Sequence, residues 1–306
     1  MLKKITFTFL LLLLVQICNA RDIKETIKFK PDASVVYKSI GKSDLKLHFF
    51  YPSNHKISNK TPVIVFFHGG GWRGGGPSQF FNQSKYFASR GLVAVSVQYR
   101  TEKSHGTSPK DCVKDGKSAI RWIRSHAGEY GIDPDKMIAS GGSAGGHIAA
   151  STAILDKYNE TGEDTSTSCM PNALVLFNPV INNGNEGFGY ELVKEYWKDI
   201  SPAHNLKRGL PPTLILLGTK DTAFKPHLAQ KFKQEMEGFG NECKLMLYKD
   251  QVHAFFNISH RDMHFKTMAD ADTFLISLGY LNGKPTTDKF RKTVFPNEKK
   301  TQSFKP

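Results

Sequence analysis

Cysteine, long apolar runs and phosphate-binding signatures are all scarce in this chain. Four cysteines stand among 306 residues. None falls in a C-x-x-C spacing, so no metal site is indicated, and a chain of this size needs no disulfide staple. The longest apolar run, residues 5–17, has 13 residues, short of the roughly 20 that a membrane-spanning helix requires. The full P-loop pattern G-x-x-x-x-G-K-[ST] is missing. There is no internal repeat, and neither a basic helix nor an aromatic-interleaved RNA motif, which argues against nucleic acid as a partner.

The short apolar run has a different use. Lys3 and Lys4 precede it, and the sequence CNA follows before Arg21, the three-part layout of a secretory signal peptide. Cleavage after residue 20 predicts a secreted or periplasmic protein with no stable membrane insertion. Anchoring through Cys18 fits less well, because the bulky Ile17 precedes it. Three cysteines then remain, Cys112, Cys169 and Cys243, an odd number that allows one internal pair at most. Of the formal charge of +14, Lys3 and Lys4 account for two, leaving +12 on the mature chain. Residues 284–306 carry seven Lys or Arg against Asp288 and Glu298. With three prolines and little periodicity, that stretch reads as a solvated or loosely docked basic tail.

Between these ends, apolar runs of strand length recur at 35–40, 45–51, 63–67, 92–98, 137–140, 174–177, 213–217 and 244–248. Helical patterns occupy 77–90, 109–130, 144–155, 226–239 and roughly 261–278; in the fourth, Leu228, Phe232, Met236 and Phe239 recur at spacings of four and three. A few antiparallel strands followed by alternating strand and helix predict one α/β domain over residues 21–283, with a mostly parallel eight-stranded sheet covered on both faces. Ligands of such sheets bind at the carboxyl ends of the strands. An insertion at about 182–210, rich in Gly and aromatic residues, interrupts the rhythm and predicts a small cap.

The third strand runs into HGGGWRGGG. Gly69-Gly70-Gly71-Trp72-Arg73-Gly74 matches G-x-G-x-x-G, the outline of a dinucleotide site. That reading also needs an acidic residue at the end of the next strand, where this chain has Gln98. The rival signal is Gly141-Gly142-Ser143-Ala144-Gly145 at a strand-to-helix junction. A serine on such a sharp turn stands above the sheet, and glycines two before and two after it let the chains pack closely. Attack by Ser143 on an acyl carbon makes an oxyanion that needs backbone N–H donors about 3 Å away, and glycines let the backbone come that near. The loop is built for an oxygen, not a phosphate.

A serine nucleophile needs a base, and the base an acid. Asp221 follows the seventh strand and His253 the eighth, in the chain order Ser, Asp, His. Asp250 is the competing acid, but it stands only three residues before His253 and is poorly placed to reach the ring. His147, one helical turn after Ser143, reads as packed, and His68 as a support for the glycine loop.

Together HGGGW, GIDPDKMIASGGSAGGHIAA, LFNPV, SPAHNLKRGLPPTLILLGTKDT and YKDQVHAFFN resemble the α/β-hydrolase superfamily, on the side of hormone-sensitive-lipase-like esterases and of secreted acetyl-xylan and feruloyl esterases. The resemblance runs from about Tyr37 to Tyr280. It implies Ser143 as nucleophile, His253 as base, Asp221 as orienting acid, Gly70, Gly71 and Ala144 as oxyanion donors, and no metal or cofactor. Gly142 departs from the Asp of many lipase-like relatives, which favours the polysaccharide-esterase branch. Val252 and Ala254 flank the histidine where glycines are more usual. Trp72, Tyr190, Tyr196 and Trp197 are expected at the rim and cap, where flat rings can stack on sugars. The predicted substrate is therefore an acylated carbohydrate or a small ester. The polar insertion weighs against a long-chain lipase; a peptidase and a non-catalytic binding protein of the same fold are the other readings.

The positive charge predicts a salt effect. Activity on an anionic polysaccharide should fall as salt rises from about 10 mM to 0.3 M, while the screening length shrinks from about 30 Å to several ångströms; p-nitrophenyl acetate hydrolysis should barely change. Equal responses of the two substrates would reduce the charge to a solubility feature.

Overall fold

A computed structural model describes residues 28–298; the expected signal peptide and residues 299–306 lie outside the described residues. Strands β1 (Ala33–Ile40) and β2 (Ser43–Phe50) pair antiparallel. Strand β2 also runs antiparallel to β4 (Val93–Val97). From there β3 (Thr61–Phe67), β5 (Ile132–Gly142), β6 (Ala173–Phe177), β7 (Thr213–Gly218) and β8 (Cys243–Tyr248) continue in parallel, giving one eight-stranded sheet of order β1-β2-β4-β3-β5-β6-β7-β8. This is the α/β architecture expected from the alternation of apolar runs.

The central strands read as continuous apolar runs because both faces are covered. Val63, Val65, Val95, Ala139, Leu176 and Ile215 face helices α2 (Pro109–Ser125), α3 (Ala144–Ile154) and α4 (Pro226–Gly238). Their alternates Ile64, Phe66, Ala94, Ile138, Val175 and Leu216 face α1 (Phe81–Ser89), α5 (Arg261–Ser277) and α6 (Thr287–Val294). Helix α2 opens on Pro109, with Ser108 and Asp111 forming a capping box. It packs so closely on α3 that a Cβ on Gly116 would lie 2.3 Å from Ile148 Cγ2. All eleven residues of α3 are buried, so this helix has no solvent face and carries an apolar sequence nearly all round. Between β6 and β7 the insertion forms short turns of helix at Tyr190–Val193, Trp197–Ile200 and Pro202–His204.

The expectation of a solvated or loosely docked end from residue 284 fails for its described part. Helix α6 sets Phe290 and Val294 four residues apart, and both are buried with Phe295 against the second core. The Phe290 ring stacks on Phe29 at 5.7 Å and meets Tyr86 edge-on at 5.4 Å. Arg291 pairs with Asp262 and Glu298, each at 2.7 Å. A stripe of two apolar residues in eight is too short to stand out from a lysine-rich background. Any truncation used to test the charge effect therefore has to stop after Glu298.

Cys112, Cys169 and Cys243 are free thiols, and burial pushes the Cys243 thiol up to about 12. Among the described residues no helix is long and apolar enough to cross a membrane.

The docking of α6 sets a stability test. Phe290→Ala should cost about 3 kcal/mol, the lower end of the usual range for emptying a buried phenylalanine site, measured by urea unfolding. A loss below about 0.5 kcal/mol would mean that α6 contributes little to the fold.

Candidate active site

Strand β5 ends at Gly142, and Ser143 turns the chain into α3 with φ 55° and ψ −122°, a conformation that a side-chain-bearing residue holds only when its surroundings impose it. Those surroundings explain the glycines. A Cβ on Gly145 would lie 2.0 Å from the Phe67 carbonyl oxygen, and one on Gly141 would lie 2.5 Å from the Gly145 carbonyl. The end of β3 thus presses directly on the turn. Gly142 has a separate cause, since its Cβ would lie 2.2 Å from the Phe256 ring. The Ser143 N–H donates to Phe177 O at 3.0 Å, and its carbonyl accepts from Val180 and His147 N–H, each at 3.1 Å.

The loops after β7 and β8 bring the other two groups to this turn. His253 Nδ1–H donates to Asp221 Oδ2 at 2.8 Å, which leaves Nε2, 2.9 Å from Ser143 Oγ, as the acceptor of the serine hydroxyl. The buried Asp221 carboxylate is held by its other oxygen, which accepts from Ala223 and Phe224 N–H at 2.9 and 2.8 Å. Asp250, the competing acid, instead makes an exposed ion pair with Lys220 at 2.9 Å.

The glycine loop abuts Ser143: a Cβ on Gly69 would lie 3.4 Å from Ser143 Cβ. His68 holds the loop. Its buried ring stacks on Tyr99 at 4.1 Å and donates from Nδ1 to Gly69 O at 2.8 Å, while the Tyr99 hydroxyl donates to His68 O at 2.6 Å. Burial lowers its pKa to about 4, so it is neutral here. Gly70 has φ 125°, and a Cβ there would strike Gly74 O at 2.3 Å. Among the described residues the N–H groups of Gly70 and Gly71 have no hydrogen-bond partner. Ala144 opens α3, so its N–H lacks an intrahelical acceptor. Three donors therefore stand uncommitted on the segments that flank Ser143.

Not every expected residue lies where the sequence suggested. Trp72, expected at the rim, is 1% exposed, edge-on to His147 at 5.1 Å. It lies under the insertion, where a Cβ on Gly189 would come within 2.9 Å of it. It supports the loop rather than offering a face to solvent. Tyr190 and Trp197 are half-buried and pack edge-to-face at 6.1 Å, with Trp197 also against His204 at 4.7 Å. His147 is buried and donates from Nε2 to Ile200 O at 2.8 Å, tying the insertion to α3. Two residues were missed. Gln79 accepts Gly69 N–H at 2.6 Å and donates to Asn257 at 3.0 Å, joining the glycine loop to the histidine loop. Asn178 touches His253 and Ala254; its only local signal is an Asn directly after an apolar strand.

Comparison with known proteins identifies the family. Residues 47–183 match the BD-FAE family and residues 193–281 the dienelactone hydrolase family. A Thermogutta terrifontis esterase with propionate bound superposes with TM-score 0.78 at 41% identity, over 82% of this chain and 96% of that one. The chain belongs to the α/β-hydrolase esterases. Among curated relatives, a probable carboxylic ester hydrolase of Mycobacterium tuberculosis is 31% identical over 67% of this chain and 51% of its own length. A probable isoprenylcysteine alpha-carbonyl methylesterase of Arabidopsis thaliana is 27% identical over 72% of this chain and 50% of its own. The chain thus spans about half the length of these curated relatives.

The contact between Gly142 and Phe256 yields a prediction for this chain. Gly142→Ala should destabilise it by about 1–3 kcal/mol through overpacking. Phe256→Leu in the same chain should recover part of that, with a coupling of at least about 0.5 kcal/mol in a double-mutant denaturation cycle. Additive costs would show that the ring is not what excludes a side chain at Gly142.

Proposed function

We propose that the protein is a secreted serine carboxylesterase that removes short acyl or aryl-acyl groups from carbohydrate through an acyl-enzyme. The carrying observation is the unbroken hydrogen-bonded line Ser143 Oγ, His253, Asp221, at 2.9 and 2.8 Å. In the proposed cycle Ser143 Oγ attacks the acyl carbon as His253 Nε2 takes its proton, and Asp221 stabilises the resulting imidazolium. The oxyanion is received by N–H groups of Gly70, Gly71 and Ala144. As the bond to the alcohol breaks, His253 returns the proton to the leaving oxygen. Water, deprotonated by the same nitrogen, then releases the carboxylic acid and restores Ser143.

The short acyl preference draws support from Thermogutta terrifontis esterase structures with propionate and butyrate bound. Others of that enzyme are phosphonylated by sarin and phosphorylated by paraoxon, as a reactive nucleophile would be. The carbohydrate reading rests on the resemblance to polysaccharide esterases and on the half-buried rings of Tyr190 and Trp197 in the insertion. Export rests on the N-terminal sequence alone. A release screen for acetate and ferulate from acetylated xylan, pectin and algal polysaccharides tests the substrate class, and the absence of either acid from all of them would remove it.

The chemistry itself is tested by substitution. Ser143→Ala should lower kcat on p-nitrophenyl acetate by on the order of 10³-fold or more in a folded protein, and an organophosphate should label that serine. Asp221→Asn should lose about 10⁴-fold, as happens when the tautomer of the base is no longer held, and Asp250→Asn far less. The reverse ranking would move the acid to Asp250.

A further inference from the structure

We propose that Asn178 is a positioning residue that sets the place of His253 and aims an N–H at its Nε2, an inference that rests on the catalytic reading of Ser143, His253 and Asp221. Asn178 directly follows β6, which lies between the strands that lead to Ser143 and to Asp221. It is buried, with φ 34°, a region that Asn enters more readily than most residues. Its backbone N–H donates to Leu216 O of β7 at 2.7 Å, which fixes its Cα to the sheet.

From there its side chain reaches the histidine loop. Oδ1 accepts Ala254 N–H at 3.1 Å, and Nδ2 lies 3.4 Å from His253 Nε2. Because a backbone N–H claims the oxygen, the amide can be oriented only one way, with its NH₂ toward the imidazole. Ala254 needs such a hold, since it sits at φ 68°, which an alanine adopts only under constraint. The same short stretch grips the nucleophile, with Phe177 O accepting Ser143 N–H at 3.0 Å and Val180 N–H donating to Ser143 O at 3.1 Å. Residues 177–180 therefore hold the backbone of the nucleophile on one side and the loop of the base on the other. This segment thus helps set the separation of Ser143 Oγ from His253 Nε2, together with the hydrogen bond from His253 to Asp221.

The amide also bears on the proton. In the resting state Nε2 has one lone pair, toward which both the Ser143 hydroxyl and the Asn178 NH₂ can donate. After proton transfer Nε2 carries N–H and faces an N–H of the same polarity. The Asn178 amide thus faces the nitrogen that has to take the serine proton and pass it to the leaving alcohol oxygen. Among the described residues, His253 also bonds the Asp221 carboxylate through Nδ1 and the Ser143 hydroxyl through Nε2. On the adjoining loops Lys220 and Asp250 neutralise each other.

The experiment is the pH profile of kcat/KM on p-nitrophenyl acetate for the full chain and for Asn178→Asp and Asn178→Gly, with Ser143→Ala and organophosphate labelling alongside. Aspartate keeps the shape and puts a carboxylate beside Nε2. It should move the acid limb to higher pH by about one unit or more, the size expected for an opposite charge at this range. Glycine accepts the positive φ and removes both hydrogen bonds; it should lower kcat about tenfold or more with KM little changed. An acid limb that stays in place in Asn178→Asp, while Ser143→Ala is inactive, overturns the role of Asn178 alone. If Asn178→Asp does not fold, Asn178→Gly decides, and an unchanged kcat there overturns the inference. An active Ser143→Ala, or labelling elsewhere, would overturn the catalytic reading and this inference with it.

Discussion

The structure depends on one backbone-to-backbone contact, the seating of the Ser143 turn against the end of β3. The space a Cβ on Gly145 would need is already filled by the carbonyl oxygens of Phe67 and His68. Any side chain there would push α3 off the sheet. Because the two strand ends touch, the glycine loop that leaves β3 has to pass beside Ser143, and its uncommitted N–H groups arrive where an oxyanion would form. The strained φ of Ser143 follows from the same contact, since the chain must leave β5 and enter a fully buried helix without room for a gentler bend.

Around this contact the parallel sheet does the rest of the positioning. Strands β5, β6, β7 and β8 are neighbours in space as well as in sequence, so the loops at their carboxyl ends form a row. Ser143, Asn178, Asp221 and His253 each follow a different one of them. The hydrogen bonds between these loops run sideways, from residue 143 to 177 and 180, from 178 to 216 and 254, and from 221 to 253. No single loop has to be rigid by itself. The left-handed conformations of Ala254 and Asn178 are sustained by this cross-bracing.

A buried charge network secures the far side of the glycine loop. Asp115 of α2 takes two hydrogen bonds from the Arg100 side chain, at 2.8 and 2.7 Å, and one from Lys38 of β1 at 2.7 Å. Glu160 joins through Lys38 and Arg100. Burial by itself would raise the Glu160 pKa, but the cations, Lys38 first, hold it down to about 2. It therefore stays ionised far into acid, and its part of the network weakens only as pH falls toward that value. Arg100 follows Tyr99, the residue that stacks on His68 and bonds its carbonyl. The network thus fixes the segment after β4, and through it the loop, although it touches none of Ser143, Asp221 and His253.

Much of this could be read from the chain itself. Eight apolar runs became eight strands, the central ones because a sheet covered on both faces needs continuous hydrophobic sequence, and Ser143, Asp221 and His253 could be named because each follows such a run in a fixed order. Those are local properties, carried by composition and spacing. Gln79 and Asn178 could not be picked out, since a polar residue after a strand or in a helical turn acquires a role only when distant segments close round it. The same limit applies to Trp72, whose burial depends on an insertion more than a hundred residues later in the chain, and to α6, whose docking depends on Tyr86 and Phe29. Gly142 was legible as a departure but not as a necessity. Its reason, the Phe256 ring, belongs to the loop after β8. The sequence by itself determined the strand order of the chemistry; the tertiary structure decided which side chains brace it, because bracing is made of contacts between residues that spacing along the chain does not relate.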